Sequence, residues 1–185
     1  MKKIYFLLVT MMVTSLSFGQ TEIFNAAGGG AYPSVGWSDV NNVTTNNIDR
    51  TTYYLVDAGA PSDIITTDVY DLSSYGSATL TLDVASFGSG THNEAKIEIS
   101  FDGGSTFTQT ETSTTTTGSS YIAGGSFALS TITNQVQIRI SNNGVSGRGV
   151  RLRNIKLVAL GTLPSLTISA PADIPVNGIS NDAAT

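Results

Sequence analysis

Three segments of the chain alternate strictly between apolar and polar positions, as a strand with one buried face must. Leu80, Leu82 and Val84 point one way, and Thr79, Thr81 and Asp83 point the other. Ile97, Ile99 and Phe101 alternate with Lys96, Glu98 and Ser100, and Val136, Ile138 and Ile140 with Gln135, Gln137 and Arg139. Weaker patterns predict strands over 21–25, 53–56, 64–67, 126–129 and 149–160. Leu82, Ile97, Ile99, Ile138, Ile140 and Leu152 are the expected core.

Turn chemistry separates these runs. Asp102-Gly103-Gly104 stands between Phe101 and Phe107 and predicts a hairpin, because glycine accepts positive φ at little cost. Asn142-Asn143-Gly144 closes another strand, and 145–149 reads as a loop. The last strand breaks its own period: Val150 and Leu152 are even, whereas Ile155, Leu157 and Ala159 are odd. A regular strand cannot change faces, so a β-bulge is expected at Arg153-Asn154. The alternative is a strand buried on both faces.

Composition agrees with an all-β chain. Ser and Thr make up about a quarter of the residues, and after the leader no window shows a 3.6-residue period. Eight or nine short strands at close spacing predict an antiparallel jelly-roll β-sandwich.

The first residues add a compartment. Lys2-Lys3 precedes an apolar run over 4–13, and Ser17 and Gly19 provide the small residues a signal peptidase reads. Residues 1–19 are therefore expected to be a signal peptide, with secretion or cell-surface display as its consequence. The run is short for a membrane span, which is the alternative. The chain has no cysteine, so neither a lipid-anchored lipoprotein nor a disulfide can form. Net charge is −5, with 14 acidic against 9 basic residues, and loss of Lys2 and Lys3 makes the balance more acidic. That argues against general affinity for nucleic acid or anionic membranes. The sandwich is expected over 20–161. Residues 162–185 read as a linker and the start of an incomplete following domain, because a lone strand at Leu166 and Ile168 has no core.

Three stretches resemble a known architecture. Phe101-Asp102-Gly103-Gly104-Ser105-Thr106-Phe107 resembles the hairpin of jelly-roll modules in secreted bacterial proteins, and residues 147–157 resemble their closing strand. The opening Ile23-Phe24-Asn25, with the stretch from Gly28 to Trp37, is similar as well. Such MAM-like and choice-of-anchor sandwiches sit beside catalytic or adhesive domains in multidomain proteins, including exported nucleases and lamin-tail proteins of bacteria using type IX secretion. The resemblance implies architecture more securely than activity. Relatives often carry an aspartate that helps ligate a structural calcium where this chain has Arg153. A cation cannot replace a carboxylate ligand, so no calcium is expected at that corner, with Asp83 and Asp102 left as ligands elsewhere.

Catalytic chemistry finds little material. His92 is the only histidine and lies in a polar loop, so neither a Ser-His-Asp triad nor a zinc site is expected. Carboxylates are scattered, and the plain reading is that they solvate outer faces and cap turns. Aromatic residues are more suggestive: Tyr32, Trp37, Tyr53 and Tyr54 lie in or near long N-terminal loops, where exposed rings would stack on sugars. The alternative is a buried plug, Trp37 above all. Arg139, Arg151 and Arg153 fall on the polar face of the last two strands. If those strands form a hairpin, the three make a stripe that either an anionic ligand or neighbouring acids such as Glu98 or Asp83 must neutralise. The chain is thus expected to be a non-catalytic binding or spacer module without cofactor, within a larger exported protein. Carbohydrate or surface polymer is the partner expected. The alternative is the accessory region of an exported enzyme, a nuclease for example, with its catalytic domain beyond residue 185.

Overall fold

The computed structural model describes residues 19–26, 37–41, 49–50, 53–57, 63–87, 93–143 and 149–162. The expected signal peptide (save Gly19), Tyr32, His92 and residues 163–185 lie outside the described residues. Among the described residues, eleven strands form two antiparallel sheets: β1 (Gln20–Ala26), β2 (Trp37–Asn41), β3 (Asp49–Arg50), β4 (Tyr53–Asp57), β5 (Ile64–Thr67), β6 (Tyr75–Phe87), β7 (Ala95–Ser100), β8 (Gln109–Thr112), β9 (Ile122–Ala128), β10 (Gln137–Asn142) and β11 (Gly149–Gly161). The first sheet runs β3-β4-β11-β6-β9, with β1 also beside β11, and the second runs β2-β5-β10-β7-β8. This is a jelly-roll β-sandwich. The eight strands named from the sequence are present, and β2, the two-residue β3 and β8 after the Asp102 turn complete the eleven.

Alternation sets the core as expected. Ile97, Ile99, Ile138, Ile140 and Leu152 are fully buried and Leu82 is 2% exposed, all within one cluster between the sheets. The hairpin turn is also present. Gly103 and Gly104 adopt φ of 75° and 91°. The Asp102 carboxylate accepts from Ser100 Oγ, Thr106 N and Thr106 Oγ1 at 2.6–2.8 Å. Those bonds, that from Ser100 foremost, hold its carboxyl down at about 2. Both its oxygens therefore serve the turn. Among the described residues, no cluster of three His, Asp or Glu side chains is arranged to hold a metal.

The bulge lies where the change of period put it. Arg153 pairs with Asp83 and Lys156 with Thr81, so Asn154 and Ile155 together oppose Leu82. Asn154 is the one non-glycine with positive φ among the described residues, at 50°, a region that asparagine tolerates. Its Nδ2 donates to Asp83 Oδ2 at 2.7 Å. Before the bulge β11 pairs with β4, and after it with β1. One extra residue thus keeps the apolar face inward while β11 passes from one neighbour to another.

One expectation fails. The last two strands do not form a hairpin: β10 lies between β5 and β7 in the second sheet, whereas β11 belongs to the first. Successive strands here mostly switch sheets, and only β3-β4 and β7-β8 pair directly with their chain neighbour. Ile138 and Ile140 therefore meet Val150 and Leu152 within the core cluster, not along a ladder. Arg139 is not opposite Arg151 or Arg153.

Candidate binding face

The three arginines divide between the two outer faces. On the second sheet, Arg139 donates to Glu98 through Nε (2.7 Å) and Nη2 (3.0 Å), and its Cζ lies 3.9 Å from the Phe107 ring centre. Lys96 Nζ stands 2.9 Å from the same carboxylate. The bond from Arg139, helped by Lys96, lowers the Glu98 carboxyl below the usual range against the opposing effect of burial. That cluster is closed: each charge has a partner, and a ring covers the guanidinium.

The outer face of the first sheet is built differently. Register places Tyr53 and Leu55 of β4, Arg151 and Arg153 of β11, and Asp83, Ala85 and Phe87 of β6 on one side, because their neighbours Tyr54, Leu152, Val84 and Val150 point into the core. Arg151 Nε donates to Ser86 O (3.0 Å) and its Nη2 to Ser119 O (2.8 Å), fixing the turn before β9. This brings Tyr121 onto the face. Arg153 Cζ is 3.9 Å from the Tyr121 ring centre, and Arg151 Cζ is 5.6 Å from both the Tyr121 and Tyr53 rings. Burial pushes the Tyr121 hydroxyl up, while the two arginines pull it down.

Two buried polar atoms here lack a hydrogen-bond partner: Tyr121 Oη and Arg153 Nε. Arg153 Nε stands 3.4 Å from Asp83 Oδ2, an ion pair without hydrogen-bond geometry. Native interiors leave few such groups unsatisfied, and a ligand is one way to satisfy them.

Beside this stack lies an open cleft of about 670 Å³, lined by Thr81, Leu82, Asp83, Ala123, Gly125, Ser126, Asn154 and Lys156. Its position follows from two bulges at one level of β6. The β11 bulge opposes Leu82, and on the other side β9 slips between Leu82↔Gly125 and Asp83↔Ala123. Bulges gather beside functional sites because they re-aim side chains out of the regular pleat.

The expected ring platform is only partly present. Tyr54 is 1% exposed in the core, so its ring has no open face. A strand that starts at Tyr53 alternates, and only Tyr53 turns outward. Trp37 opens β2 in the second sheet, on a backbone paired with Thr67, and Tyr32 lies outside the described residues. Phe87, 39% exposed at the end of β6, was missed. Its signal was available: the 79, 81, 83 polar register continues to 85 and 87, which puts an aromatic ring on a solvent face. Tyr121 had no such signal, since it follows a Ser/Thr/Gly run without period.

No family model matches the sequence, and no curated protein matches it. Solved structures share its fold. The N-terminal CBM22-1–GH10 modules of endo-1,4-beta-D-xylanase 10B from Clostridium thermocellum, complexed with xylohexaose, match with a TM-score of 0.50 at 13% identity, over 82% of this chain and 30% of that one. The CBM22-1 xylan-binding domain of Xyn10C from Paenibacillus barcinonensis matches with a TM-score of 0.51 at 9% identity, over 78% of this chain and 98% of that one. At such identities the likeness is one of fold.

Proposed function

We propose that this chain is a non-catalytic carbohydrate-binding module and that the outer face of the first sheet is where it binds polysaccharide. The observation that carries this reading is one side of the sheet that holds an exposed aromatic ring at one end, an open cleft lined by hydroxyl, amide and charged groups at the other, and a tyrosine–arginine stack over the covered Leu55 and Ala85 between them. Sugars need both kinds of surface. Their C–H faces bury against rings or guanidinium planes, and their hydroxyls bond to short polar side chains. Phe87 and Thr81 lie about 20 Å apart along β6, with the covered Ala85 between them. The shared fold with a xylan-binding domain supports the reading, as does the leader-like start, which suits a module working outside the cell. The accessory region of an exported nuclease is a role that no feature of this face favours.

Isothermal titration of the purified protein against a panel of polysaccharides tests the proposal. Binding to at least one polymer is expected, and Phe87→Ala should weaken it roughly tenfold, the effect of losing one central aromatic contact. Lack of binding to every polymer ends the proposal.

A further inference from the structure

We infer that the polysaccharide this face takes is an acidic one, whose sugar units carry oxyanion groups that Arg151, Arg153 and Lys156 receive; this rests on the carbohydrate reading above. Local charge is the ground for it. In a chain of net charge −5, the described side chains around the cleft and its arginine stack present three cations and one carboxylate, Asp83. That carboxylate is already engaged: Asp83 Oδ2 accepts from Asn154 Nδ2 at 2.7 Å and faces Arg153 Nε at 3.4 Å. Glu22 of β1 lies on the same side, opposite Val158, but accepts from Asn25 Nδ2 at 3.0 Å and does not line the cleft. Among the described residues, Arg151 and Lys156 have no ion pair, and Arg153 Nε has no hydrogen bond.

The second sheet supplies the contrast within the same molecule. Arg139 there is neutralised by a two-point bond to Glu98 and shielded by Phe107. Arg153 is held more loosely: Tyr121 covers it as closely, at 3.9 Å, but its pair with Asp83 is a single 3.4 Å approach, where Arg139 makes two hydrogen bonds. The Arg153 Nε is buried, but the side chain is 41% exposed, and the outer end of a guanidinium is a donor matched to carboxylate or sulfate oxygens. Lys156, on the cleft wall, adds a point charge a few residues along the same strand. A neutral glycan would leave Lys156 unanswered and Arg153 with only its loose pair to Asp83. Because the whole chain is acidic, long-range attraction of a polyanion is weak, and affinity must come from this patch.

The test compares polygalacturonate with its carboxyl-reduced, neutral counterpart, and dextran sulfate with dextran, by titration calorimetry at low and high salt. Tighter binding of an acidic member than of its neutral partner, weakened by salt, is expected, and which pair shows it tells carboxylate from sulfate. Lys156→Gln and Arg153→Gln should each weaken that binding roughly tenfold or more, as loss of a charge-assisted bond does, while Lys96→Gln on the other sheet should not. Lys156 is a partly exposed strand residue, so its variant keeps the test open even where Arg153→Gln unfolds. Equal binding of neutral and acidic polymers overturns this inference and leaves the carbohydrate reading standing. No binding of any polysaccharide ends both. Equally tight binding of single-stranded DNA shows a general polyanion surface and also overturns it.

Discussion

Ile138→Ala will lower the unfolding free energy by about 2–5 kcal/mol, the range for truncating a buried isoleucine with its cavity left unfilled. Ile138 is fully buried on β10, the middle strand of the second sheet. It pairs with Ile99 on one side, and its backbone N–H donates to Thr67 Oγ1 of β5 at 3.0 Å on the other. With both neighbours fixed by ladders, the backbone cannot move inward to fill the space, which favours the upper part of the range. Domains of this kind are stable by only about 5–15 kcal/mol, so the loss will be plain in a urea titration as a lower midpoint with unchanged slope. A change below about 0.5 kcal/mol would mean that Ile138 does not face the core.

Gly125→Ala is the second large effect, at about 2–4 kcal/mol from two separate causes. The backbone there has φ of 135°, a region L side chains rarely adopt, and a Cβ would stand 2.5 Å from the Phe127 ring. Phe127, 9% exposed, packs against the core and cannot swing away freely. Pairing the change with Phe127→Leu separates the causes. If crowding dominates, the double variant recovers stability relative to the sum of the singles. If backbone strain dominates, the effects add. A Gly125→Ala variant as stable as the parent would show that neither constraint is real.

Much of this architecture is legible in the sequence because sandwich strands write their facing directly into alternate residues. The six core positions and a bulge next to Arg153, found at Asn154-Ile155, follow from period alone, since a change of parity in an otherwise apolar face has few physical solutions. Strand neighbours are another matter. The interval between β10 and β11 reads equally well as a hairpin loop or as a crossing between sheets, and the chain takes the crossing. That error displaced Arg139 from Arg151 and Arg153, although Glu98 and Asp83, the acids expected to offset the arginines, are the ones that do so. The binding face suffered most, because it is assembled from β4, β6, β9 and β11, far apart in sequence. Tyr53 was legible only as a ring near a strand end, Tyr54 turned inward with the pleat, and Tyr121 is placed by hydrogen bonds of Arg151 that no local pattern encodes. Gly124-Gly125 inside a strand was a usable hint of a second bulge.

Polysaccharide bound to the outer face of the first sheet will be seen by amide chemical-shift mapping, with ¹⁵N-labelled protein titrated with an oligosaccharide of whichever polymer binds. Shifts are expected to concentrate at Thr81, Asp83, Ala85, Phe87, Ala123, Arg151, Arg153 and Lys156, with Lys96, Glu98, Thr110 and Arg139 unmoved. Shifts confined to the outer face of the second sheet, around Glu98 and Arg139, would contradict the proposed site.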